Sequence, residues 1–125
     1  MATTRIVLNR VIGRTVVKEN VTGNAAIDIG FVAIRGMQLQ SISITLDAAP
    51  VTNETLTVSL DAIAGAGYDA TLYALNPAAL AAKSIIITER DFGDIWLIPG
   101  DAINVTYANS DAVTYGVEII VMEAG

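Results

Sequence analysis

Cysteine and histidine are both absent from the 125 residues. Without cysteine the fold cannot lean on disulfides and needs no oxidising compartment. The two absences also remove the commonest general base and the most reactive nucleophile. Catalysis would then fall to a carboxylate pair among thirteen acids, and such pairing is spatial, not readable from spacing. The expectation is a protein that is not an enzyme. Cations are scarce: seven Lys and Arg face those thirteen acids, for a net charge of −6. Nucleic acid requires a basic stripe that releases counterions, so it is not an expected partner. No run of about eighteen apolar residues occurs, and the start, MATTRIVLNR, has no apolar stretch. Neither a membrane span nor a signal peptide is expected.

What the chain has in plenty is apolar residues, 53% against 16% charged. That is rich for a small soluble monomer and predicts cover from other subunits. The length suits one domain with a core that needs no metal or disulfide. Charge is uneven. Residues 1–35 hold five cations (Arg5, Arg10, Arg14, Lys18, Arg35) against Glu19 and Asp28, hence +3. Residues 36–125 hold Lys83 and Arg90 against eleven acids, hence −9. This divides the chain into a basic N-terminal arm or edge segment, 1–35, and a β body, 36–125. The arm would dock on an acidic surface such as a neighbouring copy. A few solvated arginines are the plainer account.

The clearest strand signals lie in residues 94–123, DIWLIPGDAINVTYANSDAVTYGVEIIVME. Ile103, Val105 and Tyr107 alternate with Asn104, Thr106 and Ala108. Val113, Tyr115, Val117, Ile119 and Val121 alternate with Thr114, Gly116 and Glu118. A period of two means strands with one buried face. Pro99-Gly100-Asp101 and Asn109-Ser110-Asp111 carry the turn chemistry between them. Residues 95–98 are apolar on both parities, which predicts a strand inside the body or under a partner.

Earlier in the chain, residues 6–8 and 16–17 are β-prone around Gly13 without clean alternation. Ala25, Ile27, Ile29 and Phe31 read as a strand. Residues 36–47 form a stronger one whose parity slips between Met37-Leu39 and Ile42-Ile44-Leu46. An extra residue near Gln40-Ser41 restores a single buried face, so a β-bulge or a change of sheet is expected there. Leu56, Val58 and Leu60 alternate with Thr57, Ser59 and Asp61. Residues 70–75 and 84–88 are further strands. Asn76 as cap and Pro77 as first residue open a short helical turn over 77–83. Eight or more short strands with almost no helix predict an all-β fold, an antiparallel sandwich or barrel.

Several motifs have plainer explanations. Gly65-Ala66-Gly67-Tyr68-Asp69-Ala70 matches a dinucleotide fingerprint, but a strand follows it where a helix is required, so it reads as a hairpin loop. Asp91-Phe92-Gly93 resembles a kinase tripeptide with no other kinase part, and reads as a turn. Asn20-Val21-Thr22, Asn53-Glu54-Thr55 and Asn104-Val105-Thr106 are formal sequons in a Thr-rich β chain. Asp91, Asp94, Asp101, Asn109 and Asp111 could offer oxygens to calcium, yet aspartate is ordinary in turns and no loop has EF-hand spacing. No cofactor and no metal are expected. Tyr107 and Tyr115 share parity with apolar neighbours and belong to the core, leaving Trp96 and Tyr68 as candidate surface contacts.

The LIPGDAINVTYAN turn, the threonine-rich outward faces and the YGVEIIV last strand together resemble small jelly-roll proteins of tailed-bacteriophage particles, over residues 36–123. The resemblance implies a jelly roll of about eight strands. It implies a virion structural protein, a capsid decoration or cement protein or a related head or tail component. By analogy it would be a homo-oligomer, a trimer for instance, with a major capsid or other virion protein as partner and assembly in the host cytoplasm. Candidate partner-binding residues are Arg5, Arg10, Arg14, Lys18 and Trp96. The alternative is a carbohydrate-binding or host-attachment module, marked by an exposed aromatic row flanked by Asn and Asp. Fold does not fix function.

Overall fold

The computed structural model describes residues 3–8, 11–12, 16–80 and 84–123. Its strands are β1 (Thr4–Val7), β2 (Val11–Ile12), β3 (Val16–Gly23), β4 (Ile27–Val32), β5 (Met37–Leu46), β6 (Leu56–Asp61), β7 (Ala70–Leu75), β8 (Ser84–Thr88), β9 (Trp96–Leu97), β10 (Ala102–Tyr107) and β11 (Tyr115–Glu123). One sheet runs β1-β4-β10-β6-β7; the other runs β2-β3-β11-β5-β8, with β9 also on β5.

The pairing is nested. Setting aside β1, β2 and β9, the first strand pairs with the last (β3 with β11), the second with the seventh (β4 with β10), the third with the sixth (β5 with β8) and the fourth with the fifth (β6 with β7). All four pairs are antiparallel, and β5–β11 and β6–β10 contacts join them into two sheets. A long antiparallel hairpin rolled in this way is a jelly roll. The expected all-β sandwich is therefore the fold.

Alternation decides what lies between the sheets. Ile29, Val105 and Val58 sit in one row across β4, β10 and β6. Val117, Ile44 and Ile85 sit in a row across β11, β5 and β8. All six are buried. Of Leu56, Val58, Leu60, Ile103, Val105, Tyr107, Val117 and Ile119, all expected to face inward from alternation, Leu60 is half-buried at the core's edge and the other seven are buried. The parity slip in β5 has its cause: Leu39 faces Val121 and Ser41 faces Ile120, so Gln40 is the extra residue. Met37, Leu39, Ile42, Ile44 and Leu46 consequently all point inward.

Short helical turns punctuate the connections. The Asn76 side chain accepts the Ala78 N–H at 3.1 Å and opens α1 (Pro77–Leu80). Residues 81–83, the rest of the expected turn, lie outside the described residues. A second helical turn, α2 (Glu89–Phe92), occupies most of the stretch read as a plain turn. There the Thr88 N–H donates to Asp91 Oδ2 at 2.9 Å, and Gly93 at φ 82° ends the turn.

Residues 1–35 are interwoven with the rest wherever they are described. β4 is flanked by β1 and β10, and β3 lies against β11 along eight register positions. Ile27, Ile29 and Phe31 are core residues. β1 and β2 extend the two sheets on the same side, so the N-terminal segment caps the β3 and β4 edges.

Of the two positions expected for residues 95–98, inside the body or under a partner, the first does not hold. Leu97 is buried and Ile95 packs against the core, whereas Trp96 and Ile98 are 59% and 56% exposed. The strand is not inside the body because β9 lies at the sheet margin, paired only with β5.

Candidate interaction surface

The two ends of the sandwich differ in chemistry. At one end, three connections are stitched by side chains: residues 24–26, 47–55 and 108–114. Asn109, 4% exposed with φ 53°, donates from Nδ2 to the carbonyls of Ala25 (2.8 Å) and Val113 (3.0 Å). Its Oδ1 accepts the Val113 N–H at 3.1 Å. Glu54 accepts from the Ser110 N–H (2.9 Å) and Oγ (2.6 Å). Asp111 accepts from the Val51 N–H (3.0 Å), the Thr52 N–H (2.9 Å) and the Thr52 Oγ1 (2.8 Å). Its carboxyl sits below the usual 3.8, chiefly through the Thr52 backbone bond and then the Thr52 hydroxyl. The Tyr107 phenol lies buried beneath, its ionisation pushed up by burial first and then by the Glu54 and Asp111 charges.

A group whose folded pKa is depressed stabilises above its unfolded pKa and loses that contribution as pH falls through the folded value. The Asp111 staple should therefore persist through mild acid and open only below the ordinary carboxylate range. Amide exchange at Thr52, followed by NMR as pH is lowered, reads this directly. Protection lost near neutral pH would refute it.

At the opposite end isoleucines stand exposed. This end is built on the turn at Gly100-Asp101, where Gly100 has φ 96°, conformational space that disfavours a side chain. A Cβ there would meet Ile63 Cγ1 at 2.9 Å, so Ile63 lies directly on the turn. Buried Asp101 accepts the Ile63 N–H at Oδ1 (2.9 Å) and the Ile98 N–H at Oδ2 (3.0 Å). Its backbone carbonyl accepts the Ala33 N–H at 2.8 Å, while the Gly100 N–H donates to the Ala33 carbonyl at 2.8 Å. One carboxylate and one tight turn thus gather three connections. Each places an isoleucine in solvent: Ile34 at 45%, Ile63 at 61% and Ile98 at 56%. Trp96 stands beside Ile98, and beyond it the outer row runs through Gln38 to Met122.

Asp101→Ala should lower the unfolding free energy by about 2–3 kcal/mol, because it strands two backbone amides that have charged acceptors. A urea titration measures the change. A loss below about 0.5 kcal/mol, the range of ordinary surface substitutions, would mean that water replaces the carboxylate.

Among the described residues, the candidates read from the sequence lie apart. Arg5 is exposed on β1 at the edge of one sheet, near Gly30. Lys18 is on the other sheet, its Nζ 3.2 Å from Glu118 Oε2. Trp96 is on that same sheet, separated from Lys18 by β11 and β5. Arg10 and Arg14 lie outside the described residues. Trp96 and Tyr68, the two exposed aromatics, belong to connections of different sheets and form no row. The acidic turn residues are spread between the two ends, and among the described residues no three His, Cys, Asp or Glu side chains gather as a metal site. A shallow polar depression of about 350 Å³ lies over Ser59, Asp61, Asp69, Thr71 and Asn104.

Ile34 and Ile63 were missed. Their signal is present in AIRG and AIAG: an isoleucine inside a turn has no strand partner to bury it.

No protein-family model and no curated protein matches the sequence. Solved structures do resemble the fold. A chain of the acidic stable capsid structure of Helicobacter pylori bacteriophage KHP30 superposes with a TM-score of 0.52 at 12% identity, over 84% of this chain and 92% of that one. Aeromonas hydrophila PliG, a periplasmic lysozyme inhibitor of g-type lysozyme, reaches 0.44 at 11% identity over 95% and 96%. A chain of the tomato aspermy virus structure reaches 0.34 at 15% identity over 89% and 78%. The first shares the β-sandwich fold; the other two are too distant to carry an argument.

Proposed function

We propose that this chain is a structural protein of a virus particle, acting by protein–protein binding as a capsid decoration or cement protein, or as a related head or tail component of a tailed phage. The observation that carries the reading is the eight-strand nested order, found in a chain that superposes on most of a phage-capsid chain. The exposed apolar end supports it. Isoleucines held out by satisfied hydrogen bonds suit a contact surface, since large apolar patches on small proteins mark sites of association. The residues proposed for partner contacts from the sequence are Arg5, Arg10, Arg14, Lys18 and Trp96; of these, Trp96 adjoins the apolar end.

The test is co-purification with particles. Virus particles from the source culture are banded in a density gradient, and the fractions are probed with an antibody to this chain, with immunogold labelling of the band. Co-banding and surface label are expected. A chain confined to the soluble fractions while intact particles band without it would overturn the proposal.

A further inference from the structure

We propose that the apolar corner at the Gly100-Asp101 turn is a self-association surface, covered by the same corner of a second copy across a two-fold axis. This rests on the assembly reading above, and adds the surface and the occupant.

The three isoleucines belong to connections tied to one turn. Ile63 lies on Gly100, Ile34 follows the Ala33 that bonds both Gly100 and Asp101, and Ile98 is tied to the Asp101 carboxylate. Trp96 extends it onto the outer face of the second sheet, where the remaining outward positions of β5 are Gln38, Ser41, Ser43 and Thr45. Elsewhere in that sheet the exposed apolar Ile86 stands at its margin, in a row with Ser43, Glu118 and Asn20. The turn is pinned by hydrogen bonds, so docking on it orders little backbone, which keeps the entropic cost of association low.

Charge selects the occupant. At the border of the corner Arg35 Nε stands 2.9 Å from Glu123 Oε1, both partly in water at 45% and 21% exposure. Both signs side by side make this border self-complementary: a two-fold axis sets each Arg35 against the other copy's Glu123, as isologous contacts require. Apart from Glu123, residues 36–125 carry ten acids against two cations, so contact between copies over most other faces brings like charges together. A strongly basic partner would suit those acidic faces, not a patch of three isoleucines and a tryptophan.

The experiment is sedimentation equilibrium of the full chain over a dilution series, with emission of Trp96, the single tryptophan, as a local reporter. The expected result is a reversible increase in mass with concentration and a blue shift as Trp96 leaves water. Ile98→Asp should raise the dissociation constant about tenfold or more while circular dichroism stays unchanged. Ile34→Asp is the second variant if the first disturbs folding, and Val51→Asp at the opposite end is the control that leaves association intact. Arg35→Glu and Glu123→Arg should each weaken self-association, and an equimolar mixture of the two should recover it as heterodimers. A purely intramolecular ion pair cannot produce that recovery in trans. A monomer at high micromolar concentration would overturn the second copy as occupant, while particle co-banding would still stand or fall separately. Association untouched by both Asp variants would overturn the corner as the surface, and failure of the mixture to recover would overturn the two-fold arrangement.

Discussion

Val105→Asp should cost at least about 4 kcal/mol, most of the stability of a domain at the low end of the usual range. Val105 is fully buried at the centre of β10, between Ile29 of β4 and Val58 of β6. Among the described residues no cation is buried to meet a carboxylate there. The group would therefore be held neutral or would open the sandwich, and either outcome draws on folding energy. Val105→Ala separates charge from cavity, with an expected cost of about 2 kcal/mol from lost methyls and the void. Denaturant titrations of both variants give the comparison. If the Asp variant melted with the parent, the assignment of faces in β10 would be wrong, and the packed core with it.

The second large effect is expected just beyond the end of β10, at Asn109. Asn109→Ala should lose about 3 kcal/mol. Two costs combine: unsatisfied carbonyls and an unsatisfied amide at a buried turn, and a β-carbon with no compensating bond at φ 53°. Asn109→Gly keeps the backbone comfortable and should recover about 1 kcal/mol of the loss. Equal destabilisation of the two variants in thermal unfolding would show that the side-chain bonds alone matter. No destabilisation in either would show that the connections at this end are held without Asn109.

Much of the architecture was written in local pattern. The inward row of β10 and β11 follows from alternation, because a pleated backbone sends successive side chains to opposite faces whatever it pairs with. The Gln40 bulge was legible for the same reason: the apolar parity of β5 changes phase, and one extra residue is the cheapest repair. Asn76-Pro77 announced a helix start because capping is a contact between near neighbours. Thr88 and Asp91 carried the same kind of local signal for α2, hidden by reading Asp91-Phe92-Gly93 as a turn alone.

The end with the exposed isoleucines was not legible in this way. Ile34, Ile63 and Ile98 come from three connections, and nothing local says that these connections meet. They meet because nested pairing of β4 with β10 and of β10 with β6 brings all three to the same end of one sheet. Asp101 looked like a turn residue; its partners at Ile63 and Ala33 are set by that pairing. Residues 1–35 looked like an arm because charge and weak alternation are read along the chain, whereas β3 and β4 are placed by strands near the other end of the chain. Residues 95–98 show the boundary most clearly. Their composition states that both faces are apolar, but whether the second face meets the body or water depends on where β9 lies in its sheet. Strand parity is a property of the backbone and survives in the sequence; which connections share an end is a property of long-range pairing, and it exists only once the chain has folded.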